Sequence, residues 1–247
     1  MSLNLCIDWG NTNIKAAIFD NNRLQKQFLF SEENALEQVS NIMDTYKPVK
    51  AVLCAVVSHT EALAKLVRSK IPGLLVVDGR TSVPINNAYL SQDTLGPDRL
   101  VLVYAAYDEN PTKNNLVISV GTCVTYNLVQ NNKTFRGGAI SPGLQMRAKA
   151  LHTFTDMLPE VAVDEYAILL GYDTETCMQS GIFNGMLAEI DGMIAAYESK
   201  YSDFNAILTG GDAPYFASKL KSKIFADPGL LLRGLNLILN YNVPSPS

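Results

Sequence analysis

Residues Leu3 to Phe19, LNLCIDWGNTNIKAAIF, decide the predicted fold. Apolar residues alternate with polar or small ones at the start of this stretch, which predicts a strand that ends at Asp8. Trp9 to Thr12 is typical of a turn, and Ile14 to Phe19 predicts a second strand that closes a hairpin. The chain therefore places a carboxylate at the end of a buried strand, directly before a tight turn.

This turn carries residue types that bind a magnesium nucleotide. Gly10 allows backbone N–H groups to approach phosphate, and the side chains of Asn11 and Thr12 can donate hydrogen bonds. Asp8 can hold Mg²⁺, either directly or through its water molecules. The motif is not a P-loop, because a P-loop needs Lys-Ser/Thr and a following helix. An ordinary hairpin with a turn-forming Asn and Gly remains the alternative at this point.

A second hairpin repeats the plan later in the chain. Residues Leu116 to Val129, LVISVGTCVTYNLV, again join an apolar strand to a small polar turn and a second strand. Ile118 and Gly121 follow Ile7 and Gly10 at the same offset of 111 residues. The offset predicts an α/β fold of duplicated ribonuclease-H-like domains with mixed sheets and a cleft between them, which resembles the actin, sugar kinase and Hsp70 ATPase group. We predict an N-terminal domain over residues 1–112 and a C-terminal domain over residues 113–247.

Composition excludes several classes of protein. The 247 residues are 47% hydrophobic and 18% charged, with a net charge of −4 and no basic run, which argues against nucleic acid and membrane partners. The first residues lack a signal peptide pattern, and no apolar run is long enough to span a bilayer, so we expect a cytoplasmic protein. The four cysteines are far apart and are expected to be buried, reduced thiols.

The rest of the chain predicts alternating strands and helices. The first half reads β-β-β-α-β-α-β, and its later strands are expected to pair in parallel. Ser141 and Pro142 fit the N-cap and first position of a helix over 143–152. The tail VPSPS is expected to fray. Further helices are predicted over 33–46, 61–70, 174–197, 214–220 and 230–239, and directly after Arg99.

Two loops carry further candidate residues. The loop from Thr81 to Pro97 leads into Asp98 and Arg99 at the start of a helix. These two residues can be a helix cap or a general base with a substrate-holding cation, and spacing alone favours the cap. A strand over 204–208 runs into Thr209-Gly210-Gly211-Asp212, which can receive a base and ribose or can be a plain tight turn.

Taken together, these motifs resemble one family, type III pantothenate kinase, over nearly the whole chain. The resemblance is carried by DWGNTNIK at 8–15, LGPDR at 95–99, SVGTCVTYN at 119–127, GGAISPG at 137–143 and TGGDA at 209–213. It implies phosphorylation of pantothenate by ATP with Mg²⁺, the first step of coenzyme A biosynthesis, by a homodimer. The helices after Gly143 and Thr174 are the implied dimer surface.

The resemblance also implies roles for individual residues. Asp98 matches the catalytic base, which replaces the cap interpretation, and Asp8 matches the residue that holds Mg²⁺ through water. The remaining matches fall into two groups, listed here: Asp8, Gly10, Asn11, Thr12, Gly121 and Thr122 for phosphate with Gly210 and Gly211 for adenosine; and Tyr89, Gly96, Arg99, Thr155 and Thr174 for pantothenate, with Thr174 supplied by the neighbouring subunit.

The second hairpin departs from the family pattern at three positions. Ser119 and Asn127 replace two acidic residues, and Cys123 replaces an alanine. The first of these acids is associated with a monovalent cation, K⁺ or NH₄⁺, in relatives. Because a serine supplies an oxygen but no charge, we expect reduced or absent dependence on K⁺. The departures also leave open a second function, a catalytically weak relative that acts as a regulator or binding protein.

Overall fold

The computed structural model describes residues 2–243, which form two compact units. The first unit contains the chain up to Glu109, the segment Lys133–Arg136 and the chain from Gly229 onward; the second contains Asn110–Asn132 and Gly137–Pro228. The strands are β1 (Leu3–Trp9), β2 (Ile14–Asp20), β3 (Arg23–Phe30), β4 (Lys50–Ala55), β5 (Leu74–Val77), β6 (Asn86–Asn87), β7 (Asn114–Val120), β8 (Cys123–Val129), β9 (Thr134–Pro142), β10 (Phe204–Thr209) and β11 (Phe225–Ala226). The helices are α1 (Ala35–Tyr46), α2 (Glu61–Lys70), α3 (Pro97–Glu109), α4 (Leu144–Thr153), α5 (Thr174–Lys200), α6 (Ala213–Ala217) and α7 (Leu230–Asn242).

The first unit is built on a mixed sheet of order β3-β2-β1-β4-β5. Strands β1 and β2 pair antiparallel, as do β2 and β3, whereas β4 pairs in parallel with β1 and with β5. Residues 4–9 of the central strand β1 are all buried, as expected of a strand covered on both faces. The predicted order β-β-β-α-β-α-β and the predicted parallel pairing of the later strands are confirmed.

The second unit repeats this plan. Its sheet has the order β11-β10-β7-β8-β9, with β6 paired to the first residues of β9. Strand β7 is antiparallel to β8 and parallel to β10, as β1 is to β2 and β4. The main apolar face of α5, which includes Met178, Ile182, Met186 and Ile190, packs into the core of this unit. The predicted α/β fold with two related mixed sheets is confirmed.

The C-terminal helix α7 groups with the first unit, which differs from the boundary expected at residue 113. A side-chain carbon at Gly234 would lie 2.8 Å from Val101 Cγ1, so α7 and α3 pack closely. Asn236 accepts a hydrogen bond of 2.7 Å from the Asn4 side chain on β1 and donates one of 2.8 Å to the Asn21 carbonyl. These contacts bind the end of the chain to its first strand.

Three local predictions are corrected. Ser141 and Pro142 are the last residues of β9, and Gly143 is the N-cap of α4, so the predicted cap was wrong. The helix predicted over 214–220 is the shorter α6. All four cysteines are free, but Cys177 is exposed and Cys123 is half-buried. The prediction for the VPSPS tail concerns residues 244–247, which lie outside the described range.

Within residues 2–243, no helix combines the length and the apolar character needed to cross a membrane.

Candidate active site

Asp8 is a buried carboxylate near the end of β1, only 8% exposed. The sheet register places it between Lys15 on β2 and Cys54 on β4. Burial raises the pKa of Asp8 to about 7; the positive charge of Lys15 acts in the opposite direction, and the negative charge of Asp98 adds to the rise. The strand therefore holds an acid whose ionised form needs a nearby cation.

Cys54 was not predicted as part of this site. Burial raises the pKa of its thiol, and the carboxylates of Asp8 and Asp98 raise that pKa further, so the thiol is uncharged. The sequence offered only a cysteine within an apolar strand. The register that places Cys54 beside Asp8 is a long-range property of the sheet.

Asp98 lies in the first turn of α3, which begins at Pro97. Burial raises the pKa of its carboxyl group, while hydrogen bonds from backbone N–H groups and the charge of Arg99 act to lower it. A side-chain carbon at Gly96 would lie 2.7 Å from Asp98 Oδ1, so glycine is needed for this position of the carboxylate. The helix begins before Asp98, so Asp98 is not its N-cap and the cap interpretation was wrong.

Arg99 and Tyr89 form a stacked pair in the first unit. Arg99 is 5% exposed, and its guanidinium carbon lies 5.4 Å from the centre of the Tyr89 ring. Tyr89 also stacks on Phe135, whose ring is nearly parallel at 6.0 Å between centroids. Phe135 is fully buried and was not predicted as a site residue. The sequence predicts no strand at this position, so nothing in it marks Phe135 as part of the site.

Hydrogen bonds within the loop hold Tyr89 in place. The Asn87 side chain donates to the Gly79 carbonyl at 2.9 Å and accepts from the Tyr89 amide at 3.3 Å. Gln92 donates to the Asn87 carbonyl at 2.9 Å. The loop is therefore an ordered part of the first unit, as expected of a loop that carries function.

The first predicted phosphate turn is open to solvent. Asn11 and Thr12 are exposed, and the amide of Gly10 donates to the Asn13 carbonyl at 3.1 Å. The turn follows directly after Asp8 and Trp9. The first unit therefore contains the candidate phosphate turn, the candidate metal ligand Asp8 on β1 and the candidate base Asp98 on α3.

The second unit places its two predicted nucleotide turns side by side. Gly121 and Thr122 follow the end of β7 at Val120. Gly210 has φ of 103°, and a side-chain carbon there would lie 2.2 Å from the Val120 carbonyl oxygen, so only glycine fits. The Asp212 amide donates to the same carbonyl at 3.0 Å. Gly121 and Gly211 both face open space, since a side-chain carbon added at either position would meet no atom within 4 Å.

The other predicted residues of this unit, Ser119, Thr155 and Thr174, lie on three different elements or loops. Ser119 on β7 is paired with Thr125 and Thr209, a neutral set of neighbours. The Thr155 hydroxyl is exposed and donates to the Leu151 carbonyl at 2.6 Å. Thr174 is the exposed first residue of α5, directly after the capping residue Asp173. Among the described residues, no group of three or more His, Cys, Asp or Glu side chains is arranged to hold a metal ion.

The two α/β units with related mixed sheets have the fold of the actin and sugar kinase group. One similar structure is a glucokinase of the ROK family from Streptomyces griseus, solved with glucose and AMPPNP. The match covers 98% of this chain and 100% of the glucokinase chain, with a TM-score of 0.53 and 13% identity. A structure described as a Baf family transcriptional activator from Campylobacter jejuni has a TM-score of 0.63 at 21% identity, covering 96% of this chain and 98% of its own. Both likenesses show the fold alone, so the second does not support the regulatory alternative.

The sequence comparisons define the family. The profile described as type III pantothenate kinase matches residues 4–196. A type III pantothenate kinase of Christiangramia forsetii is 42% identical over 241 residues, which cover 97% of this chain and 99% of that protein. The chain belongs to the type III pantothenate kinase family.

Proposed function

We propose that Asp98 is the general base in the reaction of this chain, the ATP-dependent phosphorylation of pantothenate to 4′-phosphopantothenate. This reaction is the first step of coenzyme A biosynthesis and follows from membership of the family. The observation that carries the role of Asp98 is its placement: a carboxylate at the start of α3, oriented by backbone N–H groups and raised in pKa by burial. A base with a raised pKa accepts a proton from an alcohol more readily near neutral pH.

Asp8 would hold Mg²⁺ through water. The fit is supported by the chemistry of the site, because a buried carboxylate with a pKa of about 7 gains from a cation that compensates its charge. Bound Mg²⁺ would supply neutralisation of charge on the phosphates of ATP. Asp8 itself remains ionised in that state, and Lys15 contributes a second positive charge on the neighbouring strand.

The glycine turns are assigned to binding of ATP. We propose that Gly10, Asn11 and Thr12 contact phosphate oxygens, as do Gly121 and Thr122. The amides of Gly10 and Gly121 donate to the Asn13 and Cys123 carbonyls within their turns. The missing glycine side chains therefore give phosphate room to approach, and the side chains of Asn11, Thr12 and Thr122 supply the donors. Gly210 and Gly211 are assigned to adenosine. Hydrogen bonds from these hydroxyl and amide side chains would stabilise charge that develops on the transferring oxygens.

Arg99 is proposed to hold the carboxylate of pantothenate. A guanidinium matches a carboxylate in charge and in hydrogen-bond geometry, and stacking on Tyr89 restricts its orientation. Gly96 leaves room beside Asp98, so an alcohol can approach the base. Thr155 and Thr174 are proposed as further contacts, with Thr174 coming from a second subunit.

A second copy of this chain is proposed to cover the exposed apolar surface of the second unit, which consists of Met146, Phe154, Met157, Leu169, Leu170 and Tyr172. Beside it lies a cavity of about 610 Å³ lined in part by Thr155 and Gly181. Along α5, side-chain carbons added at Gly181, Gly185 and Gly192 would meet no atom within 4 Å, so this helix has room for another helix. Large exposed apolar patches mark interaction sites.

Light scattering tests the homodimer. Phe154→Asp is expected to give monomers, since Phe154 is 85% exposed and its change should not disturb the fold. Leu29→Asp, at another exposed position but in the first unit, is the control and should remain dimeric. A wild-type chain that is monomeric at micromolar concentration would contradict the proposal.

Two finer properties complete the proposed function. We place the enzyme in the cytoplasm, where coenzyme A biosynthesis has its substrates. We also propose weak or absent K⁺ activation, because Ser119 and its paired neighbours Thr125 and Thr209 carry no charge.

The decisive test replaces the base. Asp98→Asn keeps the shape of the side chain but removes the proton acceptor, so turnover should fall by about 10²-fold or more while binding of the ATP analogue AMPPNP is retained. Asp93→Asn, an exposed change on the same loop, is the control and should leave turnover unchanged. Near-normal turnover of Asp98→Asn would remove Asp98 from this role.

A further inference from the structure

An ion pair between α4 and α5 connects several elements of the second unit. Arg147 on α4 donates through Nη2 to Glu189 on α5, and the side chains are 21% and 27% exposed. The Tyr126 hydroxyl on β8 donates to Glu189 Oε1 at 3.0 Å. Arg147 also donates from Nη2 to Ser141 Oγ at 3.0 Å and from Nε to the Pro142 carbonyl at 2.9 Å. One guanidinium therefore fixes the end of β9 to two helices.

Gly143, which follows β9, contacts the second phosphate turn, formed by Gly121 and Thr122. The Gly143 amide donates to the Thr122 carbonyl at 3.0 Å. A side-chain carbon at Gly143 would lie 2.0 Å from the Gly121 carbonyl oxygen and 2.6 Å from that of Thr122. Because the two backbones touch, a shift of Ser141 to Gly143 must move the turn.

The network is charged, and each of its polar side chains makes a hydrogen bond. Burial acts to raise the pKa of Glu189, but hydrogen bonds from Arg147, Ser141 and Tyr126 outweigh it, so the pKa is lowered and the carboxylate is ionised. Burial is the main cause of the raised pKa of the Tyr126 hydroxyl, and the contact with Glu189 raises that pKa further, which keeps the hydroxyl a donor. Such a network gives its members fixed positions, which a merely apolar contact would not.

We infer that Arg147 and Glu189 are positioning residues for ATP: they fix Ser141 to Gly143, which in turn fix the backbone of Gly121 and Thr122. This inference rests on the proposed function of that turn in phosphate binding. Neither side chain needs to touch the nucleotide. The role differs from stability alone, since it predicts a change in nucleotide affinity that does not follow the change in melting temperature.

The test uses the full-length protein and two readouts, AMPPNP affinity by calorimetry and steady-state kinetics with both substrates. Arg147→Met removes the charge and all three polar contacts, so AMPPNP affinity should fall by about 10-fold, equivalent to the loss of one hydrogen bond of about 1.4 kcal/mol. The KM for ATP should rise by a similar factor, with little change in the KM for pantothenate. Arg147→Lys keeps the charge but cannot bond Glu189, Ser141 and Pro142 together, so it should recover only part of the affinity.

Two further variants separate positioning from stability. Arg147→Met combined with Glu189→Leu leaves no charge unpaired, so its melting temperature should recover while its AMPPNP affinity stays low. Arg233→Met breaks a comparable Arg–Glu pair, that with Glu109 in the first unit, and should lower the melting temperature without changing AMPPNP affinity.

Unchanged AMPPNP affinity in folded Arg147→Met would overturn the inference and leave the kinase assignment intact. Recovery of affinity together with stability in the double variant would also overturn it, because the pair would then act through stability alone. If the wild-type protein binds AMPPNP but does not phosphorylate pantothenate, the proposed function fails, and the calorimetry still tests the positioning role.

Discussion

Asp8→Asn should make the protein more stable and inactive. Burial is the main reason that the pKa of Asp8 rises from 3.8 to about 7, so the folded chain is penalised for keeping this carboxylate ionised. Asparagine has the same shape and no charge. In the absence of Mg²⁺ and nucleotide, its free energy of unfolding at pH 8 should exceed that of the wild type by up to about 4 kcal/mol, which is the rise in pKa expressed as energy.

The gain should depend on pH in a defined direction. Between pH 3.8 and about 7 the unfolded chain loses the Asp8 proton while the folded chain keeps it. The wild type is therefore most stable, with respect to Asp8, at the acidic end of this range, where the group is protonated in both states. It loses that stability as the pH rises to about 7, because the folded chain must then ionise a buried carboxyl group. The free energy of unfolding of Asp8→Asn should therefore match that of the wild type near pH 4. Its excess over the wild type should grow over this range and stay constant at higher pH.

Urea unfolding of both proteins from pH 4 to 8.5 measures this difference. Asp93→Asn is the control, because the pKa of Asp93 is shifted in the opposite direction: a hydrogen bond from Arg80 lowers it. Removing the Asp93 charge should therefore not stabilise the protein. Mg²⁺ with AMPPNP should stabilise the wild type more than Asp8→Asn. Equal or lower stability of Asp8→Asn at pH 8, or a gain that is independent of pH, would refute the reasoning.

Three further predictions concern the two units separately. Ser119→Asp should introduce K⁺ activation, whereas wild-type turnover should be similar in K⁺ and Na⁺ at matched ionic strength; strict K⁺ dependence of the wild type would contradict the argument. Phe135→Leu removes the ring that stacks on Tyr89, so the KM for pantothenate should rise several-fold, in keeping with about 1 kcal/mol for such a contact; Phe183→Leu breaks a similar stack in the second unit and should leave that KM unchanged. Gly143→Ala should raise the KM for ATP, because its side chain would enter the backbone of Gly121, while Gly192→Ala has open space and should not; equal effects would argue against the contact.

The hairpins could be predicted because their signals are local. Alternation of apolar residues indicated β1, and an apolar run before a small polar turn indicated β7. The offset of 111 residues placed Ser119 at the position of Asp8. The structure shows why the offset is meaningful, since β1 and β7 are the central strands of two sheets with the same pairing directions. Local patterns do not reveal which partners surround such a strand.

The contacts that sequence reasoning missed join residues far apart in the chain. The stack of Phe135 on Tyr89 depends on pairing between β6 and β9, and β6 is only two residues long. Helix α7 joins the first unit through Asn236 and Gly234, which carry no pattern beyond helical periodicity. Long-range pairing of this kind is set by packing, which spacing along the sequence does not encode.

The error at Ser141 has a local cause. Serine followed by proline is a common helix start, but here β9 continues through both residues. Their polar atoms are used by Arg147, and the helix begins only after Gly143, where the backbone of the phosphate turn leaves no space for a side chain. Tertiary contact with the site thus overrides the cap signal.

The two units share one framework but differ in charge at its centre. In the first sheet Asp8 lies beside Cys54 on the parallel strand, and in the second Ser119 lies beside Thr209. A buried acid costs stability unless a cation accompanies it, and at this pair of equivalent positions Asp8 bears that cost while Ser119 does not. This asymmetry is what the stability of Asp8→Asn and the cation response of Ser119→Asp would measure. If both hold, the duplicated fold has kept its metal chemistry in one copy and retained the other for binding the nucleotide through neutral groups.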